Sequence, residues 1–161
     1  MNKTLLTIAV LGLLTLFTSA YYSAPADSRI GCKAPSLVLG NDNNGLSPLQ
    51  QWRGEKVLLT FWTSADAESR LNDMHYDRMS RGEENGYVHV SVNLDPSVSV
   101  FNTIVALDNL DRSTHFTASP EMQEPIIRNW RLEEGFHSFL LDKDGKILAI
   151  DPDEQTLARL K

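Results

Sequence analysis

Residues 52–69, WRGEKVLLTFWTSADAES, carry the stretch that decides the fold. Within it, Val57-Leu58-Leu59-Thr60-Phe61-Trp62 is a nearly continuous apolar run. A strand with one wet face would alternate polar and apolar residues. An unbroken run instead points to a strand buried on both faces, inside a sheet covered by helices. Thr63 then opens a predicted helix. Thr63 with Asp66 fits the Thr-x-x-Asp capping pattern, and Leu71, Met74, Tyr76 and Met79 supply a mixed apolar face as far as Arg81-Gly82. On the same helix, Asp66/Arg70 reads as a favourable i,i+4 ion pair and Asp73/Asp77 as a mild repulsion suited to a solvated face.

Upstream, residues 34–39 (APSLVL) read as a short strand, Asn41–Gly45 as a turn, and Pro48–Arg53 as one helical turn closed by Gly54. Downstream, Tyr87–Asn93 is a strand and Val98–Leu110 a helix with Phe101, Ile104, Val105 and Leu107 at helical spacing. A short strand at His115–Thr117 and a helix over Glu121–Trp130 follow. Ser138–Asp142 and Lys146–Ile150 flank Lys143-Asp144-Gly145 as a hairpin, and Asp153–Leu160 reads as a closing helix. Strands alternating with helices predict parallel pairing early in the chain, and the hairpin adds antiparallel strands to the same sheet. The expected class is α/β, a mixed central sheet with helices on both faces and an N-terminal strand extension.

Fifteen Lys+Arg against 21 Asp+Glu give a net charge of −6 and a pI near 5.1 over 161 residues. That balance argues against a nucleic acid or an anionic membrane as the main partner, since both need a basic face. Cys32 is the only cysteine, which excludes an internal disulfide, a thiolate zinc cage and a dithiol active site. No cofactor is expected. A metal site sketched from Asp66, Glu68 and His75 is poor, because residues two apart on a helix point in different directions, so none is expected there. His75, His89 and His115 are scattered and read as structural or solvated. The Asp142–Gly145 segment has its glycine too early for a calcium loop.

Lys3, the apolar run Leu5–Phe17 and the exit Thr18-Ser19-Ala20 have the parts of a secretory signal over residues 1–20, or 1–24 if cleavage follows Ala24. The run falls short of the roughly 20 apolar residues a membrane span needs, so no integral segment is expected after signal removal. The expected location is the periplasm or cell envelope. Arg29 stands where a lipidated cysteine would be preceded by an aliphatic residue, which argues against lipidation of Cys32. In an oxidising compartment Cys32 is then a half-buried loop residue or a single reactive thiol.

The order of elements, with the residues at its junctions, resembles the thioredoxin fold. More closely, residues 31–161 resemble the exported thiol–disulfide oxidoreductases of the TlpA/ResA type. Gly31–Leu39 is similar to that family's opening G-x-x-A-P-x-F-x-L, Trp52–Trp62 to its L-x-G-K-x-V-L-L-x-F-W, and Phe139–Ile147 to its closing F-L-I-D-x-D-G-K-I. The resemblance implies a Cys-x-x-Cys pair after the Phe-Trp, where this chain has Asp66-Ala67-Glu68-Ser69. It implies a cis-proline before the Ser138 strand, where this chain has Phe136.

Thiol–disulfide exchange needs an attacking thiolate and a resolving thiol, so Asp66 and Ser69 remove that chemistry. Asp66 keeps a negative charge in the field of a helix N-terminus, and equally serves as an ordinary first-turn acid. A groove near Trp62, Asp66, Ser69, Phe136 and His137 is the expected contact surface, its partner a protein or peptide, as the resemblance implies. The leading expectation is an exported, non-catalytic binding or accessory module. Two enzymatic alternatives stand beside it: single-thiol redox chemistry at Cys32, and hydrolysis through Ser69 and His137, for which Asp66 would supply a carboxylate.

Overall fold

The computed structural model describes residues 27–39, 47–82 and 85–160. The predicted signal segment and the Asn41–Gly45 turn lie outside the described residues. The elements run α1 (Pro48–Gln51), β1 (Val57–Trp62), α2 (Ala67–Ser80), β2 (Val88–Asn93), α3 (Val98–Leu107), β3 (His115–Thr117), α4 (Pro120–Trp130), β4 (Ser138–Leu141), β5 (Ile147–Ile150) and α5 (Glu154–Ala158). The five strands form one sheet in the order β3-β2-β1-β4-β5. β1 is parallel to β2, and β2 to β3, whereas β4 is antiparallel to both β1 and β5. This is the α/β thioredoxin-like architecture, a five-stranded mixed sheet with flanking helices.

β1 is buried at every position, as its unbroken run requires of the central strand. One core gathers Phe61, Trp130 and Phe139, with ring centroids 4.9–6.0 Å apart, together with Leu37, Leu39, Val90, Val92 and Ile126. α4 docks here through Ile126 and Trp130 and ends at Arg131, whose left-handed backbone (φ 57°) turns the chain back.

Two expectations are corrected. Residues 34–39 do not form a strand: Lys33 makes a single bridge to Lys146, and the chain beyond it joins no β-ladder, making only isolated backbone bonds at Ala34 and Leu39. Leu37 and Leu39 are buried and Val38 exposed, so the alternation came from core packing without a ladder. The strand extension is thus reduced to a one-bridge contact. The helix after β1 begins at Ala67, capped by Asp66 in extended conformation, rather than at Thr63. The Ser64 backbone N–H and hydroxyl both donate to Asp95, which holds that segment in a turn.

Met74, Tyr76 and Met79 of α2 pack against the core as expected, but the most deeply buried positions of the helix are polar. Leu71 is 64% exposed, while Ser69, Asp73 and Asp77 are buried. Arg70 turns away from Asp66 and makes a two-pronged bond to Asp108, both contacts 2.7 Å, tying α2 to the end of α3.

Candidate functional site

Asp66 sits at the mouth of α2, where the first amides have no partners within the helix. Its Oδ1 accepts the Ser69 N–H at 2.7 Å, and the Ser69 hydroxyl donates to the Asp66 carbonyl at 3.2 Å. Those bonds from Ser69, the backbone one first, hold the Asp66 carboxyl below its ordinary value. Asp66 and Ser69 therefore close on each other.

A groove of about 480 Å³ opens beside them, lined by Asp66, Glu68, Ser69, Asn72 and Tyr76 of the α2 side and by Glu134–His137 and Asp151 opposite. His137 Nδ1 lies 2.6 Å from Asp151 Oδ2, while Asp151 Oδ1 accepts the Ser138 N–H at 2.8 Å. Among the described residues no peptide bond is cis, so Phe136 enters the loop in the trans form. Asp66, Ser69, Phe136 and His137 thus share one groove.

Trp62 does not. It is fully buried, its indole N–H donates to Ser91 at 2.7 Å, and it packs on Phe101. Alternation along β1 sends it to the α3 side. Cys32 is half-buried in a loop whose backbone bonds to Ile147, away from the groove. The hydrolytic constellation is not assembled: Ser69 is committed to Asp66, and His137 to Asp151. Asp66, Glu68 and His75 are not gathered either, since His75 faces Glu154 at 3.1 Å. A slightly larger hollow, about 530 Å³ between Trp52 and the Asp142–Gly145 turn, is lined by none of these positions.

Beneath α2 lies a cluster that the sequence reading missed. Asp73, His89 and His115, from α2, β2 and β3, are all buried with Thr60 of β1. Thr60 Oγ1 donates to Asp73 Oδ1 at 2.7 Å and lies 2.9 Å from His89 Nε2, which supplies the proton to it. His115 Nε2 stands 3.0 Å from Asp73 Oδ2 and its Nδ1 stands 2.7 Å from the Asp111 carbonyl. The nearer partner of each ring nitrogen is an acceptor, with the Thr114 hydroxyl farther from Nδ1 at 3.3 Å, so with protons alone the ring is an imidazolium facing a carboxylate. Burial acts against both charges. The bonds from His115 and His89 overcome it for Asp73, which is held well below the carboxylate range, and the bond to Asp73 overcomes it for His115, which is raised. The signal was present: Ser69, Asp73 and Asp77 recur at i,i+4,i+8, opposite polar residues on strands with no wet face.

The pH dependence follows with a definite sign. A depressed Asp73 stabilises the fold above its ordinary value of 3.8, and that stability is lost as pH falls towards the folded value. A raised His115 stabilises below its ordinary 6.5, and that stability is lost as pH rises through the folded value. Urea unfolding in chelator is expected to give a stability plateau between these ordinary values, falling on both sides. A His115→Gln variant whose upper edge is unchanged would refute the assignment.

No protein-family model matches the chain. It is 26% identical to the thiol-disulfide oxidoreductase ResA of Bacillus cereus over 144 residues, covering 88% of this chain and 80% of that one. The same protein of Bacillus thuringiensis is 24% identical over the same shares. A crystal structure of a thioredoxin-like protein from Parabacteroides distasonis superposes with a TM-score of 0.70 at 26% identity, covering 84% of this chain and 96% of that one. The chain is a thioredoxin-like relative of the ResA-type oxidoreductases. It departs from a dithiol enzyme in having one cysteine, Cys32, so no Cys-x-x-Cys pair can exist.

Proposed function

We propose that this ResA relative is an exported, non-catalytic module that binds an extended, basic polypeptide segment in the groove between α2 and the Glu134–His137 loop. The observation that carries the reading is the composition of the groove wall. Asp66, Glu68, Glu134 and Asp151 bring four carboxylates to it, against the single imidazole of His137, beside the apolar surfaces of Tyr76 and Phe136. Carboxylates attract Lys and Arg side chains, and aromatic faces accept their aliphatic stems and guanidinium planes. Asp66 and Ser69 stand where a ResA-type enzyme would react, and they leave a charged surface without a nucleophile for sulfur. Export to the periplasm or cell envelope rests on the signal-like residues 1–20. No helix among the described residues is long and apolar enough to cross a membrane.

The test is binding of a fluorescent, unstructured Lys/Arg-containing peptide, with a Glu-substituted peptide as control. Tight binding of the basic peptide, weakened about tenfold or more by Asp66→Arg and by raised salt, supports the reading. Equal binding of both peptides, or an Asp66→Arg variant indistinguishable from wild type, overturns it. Crosslinking in native cell envelopes should then show Asp66-dependent partners.

A further inference from the structure

The polar cluster under α2 has a second capacity, independent of the groove. We propose that Asp73, His89 and His115 form a buried site for a divalent cation of the zinc class, loaded as the domain folds.

The donor atoms are of the right kind, two imidazole nitrogens and a carboxylate oxygen, and lie within 4.8 Å of one another. His115 Nε2 to Asp73 Oδ2 is 3.0 Å, and His89 Nε2 to Asp73 Oδ1 is 3.5 Å. Ligands on tetrahedral zinc, each about 2.0–2.2 Å from the ion, are about 3.3 Å apart, so the two spacings to Asp73 already match and the two imidazoles, within 4.8 Å, need only close on each other. The surrounding bonds also suit the role. The Asp111 carbonyl fixes the His115 proton on Nδ1, which aims the lone pair of Nε2 at the carboxylate once the second proton leaves. Thr60 orients the carboxylate from its other oxygen. Ligation moves the His89 proton from Nε2 to Nδ1; this gives up the Nε2 bond to Thr60 and leaves the buried Nδ1–H without an acceptor, a cost the metal bond must exceed.

Binding exchanges the second proton of His115 for the cation, and the proton goes to solvent. One proton leaves and a dication enters, a net gain of one positive charge, which Asp73 and Asp77 face, Arg81 pairing with Asp77 at 2.6 Å. The three ligands come from α2, β2 and β3, and a cation among them would pin the helix to two strands at once. Since all three are buried, the cation enters before the helix closes on the sheet.

The experiment refolds the full mature protein from urea with Co²⁺ or Zn²⁺, then removes loose metal by gel filtration. One metal per chain is expected. X-ray absorption of the zinc form should show two imidazoles and oxygen in its first shell, and Co²⁺ should show visible bands of tetrahedral intensity. The melting temperature should rise by several degrees relative to chelator-treated protein. His89→Gln should abolish retention, and Thr60→Val should weaken it about 10–100-fold. His75→Ala, which removes an exposed imidazole, should leave it unchanged. Should His89→Gln fail to fold, Thr60→Val carries the mutational arm. No retained metal after refolding overturns the proposal, as does retention that survives both cluster variants or a first shell without two imidazoles.

Discussion

Replacing Asp73 with alanine is expected to cost the chelator-treated protein about 3–5 kcal/mol, a large share of the roughly 5–15 kcal/mol that holds a domain together. The reason is what the substitution leaves behind. His115 would keep its bond to the Asp111 carbonyl but face an empty space where a carboxylate stood, and Thr60 would lose its acceptor. A buried cation without its partner must lose its proton or draw water inward, and either outcome loosens α2 from the sheet. Asp73→Asn separates charge from shape. The amide can accept from Thr60 and donate to a neutral His115, so the loss should be smaller and the alkaline edge of the stability plateau should vanish. A loss below about 1 kcal/mol for the alanine variant, the scale of an exposed ion pair, would show that the cluster is not formed as described.

The second large effect is a gain. In a Cys32→Ser background, Asp66→Cys with Ser69→Cys should form a disulfide at the start of α2 and raise insulin reduction at least about tenfold over the parent. Residue 66 caps the helix, and the Ser69 N–H that now holds the Asp66 carboxylate would stabilise a thiolate in the same place. The parent in this background holds no thiol, so its rate is only background; lowering the attacking thiol's pKa by about one to two units raises its thiolate fraction roughly tenfold at neutral pH and lifts the variant clear of it. Neither single cysteine should suffice, because a mixed disulfide needs a second thiol nearby to resolve it. If the double variant forms its disulfide yet stays at background, the Phe136 loop, and not the missing sulfur alone, bars thiol–disulfide exchange from this groove.

The fold was legible because its strongest signals are local. Val57–Trp62 reads as a doubly buried strand from its own residues, and the Asp-Gly turn places the β4–β5 hairpin. Asp66 and Ser69 could be singled out from their fixed spacing after Phe61-Trp62, and the structure brings them together at the start of α2. What escaped was set by tertiary contact. Asp73 and Asp77 look solvated until β2 and β3 bring His89 and His115 beneath them. Arg70 had a suitable acid four residues back, yet Asp108, 38 residues away, offers both oxygens to its fork. Trp62 ends a run buried on both faces, and nothing in the run says which face meets the groove.

The single bridge at Lys33 has a use that its brevity conceals. Gly31 donates to Ile147, Ile147 donates to Cys32, and Ala34 donates to Gly145, so residues 31–34 run along the outer margin of β5. A bare sheet margin is a template on which neighbouring molecules stack. Here residues 31–34 cover the start of that margin, taking up the backbone N–H and carbonyl of Ile147, and so shorten the strip of β5 left open to pairing.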